Sequence, residues 1–429
     1  MRVALDHSVR RYADDTVLIG GSPLRLLRLS PAGARALSQW LDGAEVTNEP
    51  MARRLLDAGL VHPLPEPSRF TPSDVTLVVP VKDNATGLAR LLDATGDLGA
   101  RVVVDDGSAV PVPAAQLRHD HPRGPGAARN AGLRLAGTEL VAFLDSDTVP
   151  APGWLDTVLP LFNDPAVVAV APRVRSVPTA SPIGRYEADR CPLDLGALAA
   201  SVRPMGRVSY VPSAALVVRR SVSSRFDETM RFGEDVDLVW RLIAGGGTVR
   251  YQPAATVWHE PRATLRAWLR QRFDYGTSAA PLSTRHPGKL TCARLSRWSA
   301  AAWALVAAGH PVIGFALAAG SAALLPRKLR GRGVPPSASL ALAAKGHLGA
   351  GLLLADAVRR AWWPLALLTR RGRLVLLASL VPAMIGRGPT WSALRVADDL
   401  AYGAGVWVGC VRERTLAPVL PRIAEWPGR

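Results

Sequence analysis

The sequence predicts an α/β fold of the doubly wound, Rossmann-like kind, with a small β-and-helix unit before it and a hydrophobic helical region after it. Three observations carry that expectation. Apolar runs alternate with helical patterns from Val75 to Leu144. The texture changes at EPSRFTPSD, close to residue 70, which reads as a linker. From Trp298 through Pro326 there is no Asp, Glu, Lys or Arg.

Residues 1–70 have their own pattern. TVLIGGSPLRLLRLS holds two short β-rich runs, Val17–Ile19 and Leu26–Leu29, on either side of Gly20-Gly21-Ser22-Pro23, a turn signal. A helix follows, with Ser30 as N-cap, Pro31 at its first position and Ala34, Leu37 and Leu41 on one face. MARRLLDAGLVHPLP gives a second helix, stopped at Gly59, and then a short strand. Two β-runs followed by helices and a strand make a winged-helix pattern; a packing appendage is the alternative.

Residues 75–285 form the α/β region. VTLVVPV is a near-continuous apolar run, as expected of a parallel strand covered on both faces. A helix through Gly87–Leu92 follows, then the strand RVVVDDGS, the glycine-opened helix GPGAARNAGLRLAG and the strand ELVAFLDSD. Ligands of such sheets gather at the carboxyl ends of the strands. Asp106, Asp145 and Asp147 fall there.

Residues 290–429 are rich in Ala, Leu and Gly. The uncharged run at 298–326 is long enough for a bilayer core of about 30 Å, but His310-Pro311 interrupts it, so two short helices are the competing expectation. GHLGAGLLLADAVRR and GRLVLLASLVPAMIG are shorter and bounded by charges. Basic clusters at 327–332, 359–360 and 370–373 suit a cytoplasmic, lipid-facing side. The expected location is the cytoplasmic face of the cell membrane, peripheral or integral.

With 429 residues the chain is long enough for two or three domains, and at 48% hydrophobic and 20% charged it is neither disordered nor fibrous. A net charge of +17 admits three partners: nucleic acid, an anionic membrane or an acidic substrate. Cys191, Cys292 and Cys410 are odd in number and widely spaced, which argues for a reducing compartment. The start MRVALDHSVRRYADD has no apolar core behind its positive charges and does not read as a secretory signal.

The acids are the candidate chemistry. Asp145 and Asp147, one residue apart, can point at one divalent cation, and hard oxygen ligands suit Mg²⁺ or Mn²⁺. A solvated Asp-Ser-Asp turn is the alternative. Asp106 in DDGS could accept a hydrogen bond from a base or ribose. In GPGAARN, Arg129 adds a planar donor fork. RFGEDVDLVWRL opens a helix with Glu234, Asp235 and Asp237; helix-dipole complementation, worth under about 1 kcal/mol, explains one such acid better than three. His259 in TVWHEPR follows an apolar strand, where a lone His is more often packed than a ligand.

In this order, VTLVVPVKDN, VVVDDGS, GAARNAGL, FLDSDTVPAPGWL, FGEDVDLVWRL and VWHE resemble the family-2 glycosyltransferases, inverting enzymes with a mixed GT-A sheet. GGSPLRLLRLSP before this domain, similar to PqqD-like peptide-binding modules, and RQRFDYGTSAAPL after it resemble, more narrowly, the glycosyltransferases of mycofactocin systems. The resemblance implies that Asp106 contacts the nucleobase and that Pro80 and Arg129 lie beside the nucleotide. It further implies that Asp145 holds the ribose or the metal, that Asp147 and His259 hold the metal, and that Asp235 is the catalytic base with Glu234 next to it. Processive members carry Gln-Arg-x-Arg-Trp, from which Leu269-Arg270-Gln271-Arg272-Phe273 departs.

The resemblance thus implies a metal-dependent hexosyltransferase using a nucleotide sugar, UDP-glucose, on a peptide-derived redox cofactor or its precursor, recruited by the N-terminal unit near membrane lipid. Glu234 and Asp237 are expected to raise the proton affinity of Asp235 by like-charge repulsion. One rival, inside the enzyme class, transfers to a polyprenyl phosphate or a polysaccharide. The other is a nucleic-acid-binding protein; arginines spread through the tail and core loops, without a basic helix interleaved with aromatics, speak against it.

Overall fold

The computed structural model describes residues 1–64, 66–222 and 224–424. The chain divides into two compact units, one of Met1–Asp6 with Gly43–Ala263 and one of His7–Asp42 with Thr264–Arg429. The first 70 residues therefore contribute to both.

The first unit is built on a mixed sheet. Its parallel half runs Leu140–Leu144, Val75–Val81, Ala100–Asp105 and Leu117–Arg118. Leu140–Leu144 is buried at every position, as the apolar run required. Its other neighbour is antiparallel, Ala215–Arg219, followed by Val167–Ser176, then Thr248–His259 and the short Thr148–Pro150. The sheet is mixed because the chain re-enters through Ala215–Arg219 in the reverse direction. Leu77, Val79, Ala142, Leu144, Phe162, Val170 and Val257 belong to one buried core. Val3–Leu5 pairs with Val61–Pro63, and the helix Glu49–Asp57 is capped by Asn48.

In the second unit, Arg10–Tyr12, Val17–Gly20 and Arg25–Arg28 form a three-stranded antiparallel sheet. The helix Pro31–Leu41 follows, with Ser30 accepting from the Gly33 amide as its N-cap, as the sequence predicts. Val17 and Ile19 lie on one face of that sheet and need cover; Leu329 and Val334 supply it.

The uncharged stretch breaks at His310-Pro311 into Arg297–Ala307 and Pro311–Leu329, the first short as the competing expectation has it and the second longer. The GHLGAGLLLADAVRR segment, expected to be short, instead lies inside a long helix that starts at Pro336 and continues through a wider turn at Val358–Trp362 to Ala366. Lys345 and Asp356 bound the apolar run in sequence without ending the helix, because charged side chains leave the backbone ladder intact. Pro311–Arg332 and Pro336–Ala366 are long and apolar enough to cross a membrane, and only 11% of each apolar window is buried.

The last helices pack closely. On Pro389–Arg412, a Cβ at Gly405 would lie 2.0 Å from the Phe273 carbonyl oxygen of the helix Leu265–Thr277, so only glycine fits. Arg272 meets Asp398 at 3.2 Å, and Arg359 and Arg395 meet Asp399 at 3.0 and 3.2 Å.

Candidate active site

The carboxyl ends of the parallel strands carry a set of tied loops. Asp105 is fully buried and accepts from the Ser108 and Val112 amides at 2.8 and 3.2 Å and from Arg118. Burial alone would raise its proton affinity; the bonds from Ser108, Val112 and Arg118 outweigh this and hold its pKa low. Gly107 makes the turn possible at φ 70°, where a Cβ would also strike Pro122 and His121.

Asp106 is buried as well. Its Oδ1 accepts from the Arg123 amide and meets His119 Nδ1, both at 2.8 Å, and its Oδ2 accepts from the Gly124 amide at 2.8 Å. The carboxylate thus fastens the loop that opens the helix Pro125–Leu135, whose start lies beside Glu234. Pro80 sits half-buried near the end of Val75–Val81, paired with Val104.

Arg129 is 3% exposed and forks between two acids. One terminal nitrogen donates to Glu234 Oε1 at 2.9 Å, and the other to Asp145 Oδ1 at 2.6 Å. Burial would lower the pKa of this guanidinium, but the charges of Asp145 and Glu234 leave it raised. Its charge is therefore spent on protein carboxylates.

Asp145 and Asp235 are tied through neighbouring residues. The Asp145 amide donates to the Ala214 carbonyl at 3.1 Å, and the Ser213 amide donates to Asp235 Oδ2 at 3.3 Å. Asp235 is the second residue of the helix Glu234–Ala244 and is half-buried. Burial raises its pKa, and the charge of Asp145 adds to this. Glu234 is pushed up to about 7, first by burial and then by the charge of Asp235. The repulsion expected on Asp235 from Glu234 and Asp237 comes instead from Asp145; the charge of Asp235 acts on Glu234, and Asp237 accepts from Arg241 at 2.7 Å, one helical turn on.

Asp147 faces a different group. His259 Nε2 and Arg262 each lie 3.4 Å from Asp147 Oδ2. Burial would raise the carboxyl's pKa, but the contact with His259 and the charge of Arg262 hold it low. Two cis ligands on an octahedral cation of about 2.1 Å bond length sit roughly 3 Å apart, so the spacing of Asp147 and His259 fits a Mg²⁺ or Mn²⁺ ion between them. Asp145 turns instead to Arg129. Among the described residues no three His, Cys, Asp or Glu side chains form a cation cage. Such an ion would complete its shell with waters and substrate phosphate oxygens, as these cations commonly do.

The structure thus brings Arg129, Asp145 and Glu234 into one bonded cluster with Asp235 next to Glu234 in the chain, sets Asp147 against His259, and gives Asp106 to the adjoining loop. Sequence reasoning missed three contributors. Arg262 stands three residues past His259. Ser213 had no motif. Asn84, an N-cap before Ala85–Ala94, also donates from Nδ2 to the Ser146 carbonyl between the two acids at 3.2 Å; a cap residue at a strand's carboxyl end was its only signal.

A mixed α/β sheet with paired acids at its carboxyl edge defines the class, and sequence comparison agrees. Residues 70–274 match the profile of the glycosyltransferase-like family 2. The chain belongs to this family and is a glycosyltransferase. It is 43% identical to the pre-mycofactocin glycosyltransferase of Mycobacterium tuberculosis over 459 aligned residues, covering 98% of this chain and 97% of that protein. The succinoglycan biosynthesis protein ExoO of Rhizobium meliloti is 27% identical over 223 residues, covering 46% of this chain and 64% of the relative. Among solved structures, the mannosyltransferase PcManGT from Pyrobaculum calidifontis, in complex with GDP-Man and Mn²⁺, aligns with a TM-score of 0.38 at 20% identity, covering 74% of this chain and 98% of that one.

Proposed function

We propose that this glycosyltransferase moves a glucosyl unit from UDP-glucose to a hydroxyl of the mycofactocin precursor, at the cytoplasmic face of the membrane. The observation that carries the choice of acceptor is the 43% identity extending over 98% of the chain, which includes both flanking regions and not the sugar-transfer domain alone.

The chemistry is a single displacement at the anomeric carbon. Asp235 takes the proton of the attacking hydroxyl, with inversion of configuration. Its half-buried position and raised proton affinity suit a base that must hold that proton. Arg129 holds Glu234 and Asp145 against each other and so sets the start of the helix that presents Asp235. Asp147 and His259 would hold a divalent cation, which when bound offsets the charge gathering on the departing nucleoside diphosphate. Pro80 and Asp106 border the nucleotide in this reading, Asp106 through the loop that it fastens.

The helices Pro311–Leu329 and Pro336–Ala357 would keep the enzyme at the lipid surface, with the basic residues at 327–332 toward the cytoplasm. Capture of the peptide part of the acceptor falls to the N-terminal residues 1–70, including the exposed Arg10 and Arg25 of the three-stranded sheet.

The test is incubation of the purified full chain with a panel of nucleotide sugars and two acceptors, the peptide-derived precursor and a polyprenyl phosphate, read by mass spectrometry. One hexosyl added to the precursor from UDP-glucose is the expected result. Transfer to the polyprenyl phosphate alone, the reading that the uncovered apolar helices favour, would replace the acceptor proposed.

A further inference from the structure

Two polar side chains on the inner face of the sheet are buried beside each other, each with a polar atom that has no partner among the described residues. Ser176 ends the strand Val167–Ser176 and His259 ends Thr248–His259. The two strands are parallel, and these residues are opposed in register. Opposed residues share a face. The preceding pair shows the register plainly: Arg175 and Trp258, also opposed, meet on the outer face with the guanidinium 5.0 Å from the ring centroid. Val174 and Val257, one step further back, lie together in the core. Ser176 is 4% exposed and His259 6%. Neither Ser176 Oγ nor His259 Nδ1 has a hydrogen-bond partner among the described residues. Buried polar atoms of this kind rarely stay unpaired.

We infer that Ser176 is a positioning residue for His259: when a cation is bound beside Asp147, the Ser176 hydroxyl oxygen accepts the Nδ1 proton of the imidazole, directly or through one water, and so leaves the Nε2 lone pair for the cation. Nε2 already faces Asp147 Oδ2 at 3.4 Å. A neutral imidazole binds a cation through one nitrogen only if the proton is kept on the other, and an outer partner commonly keeps it there. Thr148, opposed to His259 on the other side, already has a partner for its hydroxyl, which donates to the Asp145 carbonyl at 2.7 Å. Ser176 is the hydroxyl opposed to that ring that is buried without any partner among the described residues.

The inference rests on the proposed cation site at Asp147 and His259, and its test separates the two. Mn²⁺ is titrated into the full chain with UDP and no acceptor, and free Mn²⁺ is followed by electron paramagnetic resonance. Ser176→Ala should weaken Mn²⁺ binding about 10- to 100-fold, the usual effect of losing an outer partner, and Ser176→Thr, which keeps the hydroxyl, should restore most of it. In the protein labelled with ¹⁵N-histidine and loaded with Mg²⁺ and UDP, the His259 Nε2 resonance should be of the unprotonated type, and Ser176→Ala should shift it toward the protonated type. Unchanged Mn²⁺ affinity in Ser176→Ala, with Asp147→Ala still losing it, overturns the role of Ser176 alone. Unchanged affinity in Asp147→Ala overturns the cation site and this inference with it. A protonated Nε2 in the Mg²⁺-loaded parent protein overturns the tautomer directly.

Discussion

At the scale of single residues, the two halves of the site should fail differently. Asp235→Asn removes the proton acceptor and leaves Asp147 and His259 in place. Donor binding should stay within a few-fold of the parent while kcat falls about 10²- to 10⁴-fold, measured by nucleotide binding and steady-state turnover. Asp147→Ala should instead weaken nucleotide and metal binding together, and excess EDTA should reproduce its effect on the parent. Part of the pH dependence belongs to Glu234, whose pKa rises from an unfolded value near 4.5 to about 7, and the raised pKa of Asp235 acts in the same sense. A raised carboxyl favours the folded state while protonated, so its contribution is complete below the unfolded pKa and is lost as pH rises through the folded one. The parent should lose up to about 3 kcal/mol from this group between roughly pH 4.5 and 7. Glu234→Gln should lack that loss, so the difference in thermal midpoint between variant and parent should grow in the variant's favour from pH 5 to pH 8. The lowered Asp147 pKa acts in the opposite sense but below about pH 4, outside this window. The motifs that carry these residues were legible because each is local: Asp-Ser-Asp and Gly-Glu-Asp need only the end of a strand and the start of a helix. The bonds of Arg129 were not legible, because they depend on which strand and which helix abut it.

At the scale of elements, backbone approach decides more than side-chain identity. The contact at Gly405 leaves no room for a methyl group. Gly405→Ala should separate Pro389–Arg412 from Leu265–Thr277 and cost about 1–3 kcal/mol, seen as a lower thermal midpoint. Gly346→Ala, where nothing lies within 4 Å of the added Cβ, should leave the midpoint unchanged or raise it slightly. The Ser30 cap and the break at His310-Pro311 were readable because both are set within one turn of chain. The length of Pro336–Ala357 was underread, since Lys345 and Asp356 look like ends on paper while neither residue interrupts helical hydrogen bonds.

At the scale of the whole molecule, surface chemistry should govern location. Val312 is 80% exposed, and Ile313, Phe315, Leu348 and Leu352 are also exposed on the two long helices. The basic residues of 327–332 follow the first of them. The protein should sediment with vesicles containing anionic lipid and do so less with neutral ones, each basic residue near the surface contributing about 1 kcal/mol. Phe315→Glu combined with Leu348→Glu should release it into the supernatant of a flotation assay if the helices lie on the surface, and should weaken extraction-resistant insertion if they cross. By itself the sequence determined the class of fold, the acids at the strand ends and the family, because periodicity and short motifs are properties of neighbouring residues. Only the tertiary structure decided that residues 1–70 are divided between two units, that the carboxylate of Asp106 is bonded to loop amides, and that Arg129 binds Asp145 and Glu234. Those outcomes turn on which groups meet across long stretches of chain and leave water together, and burial with its compensating charges is fixed by packing rather than by spacing.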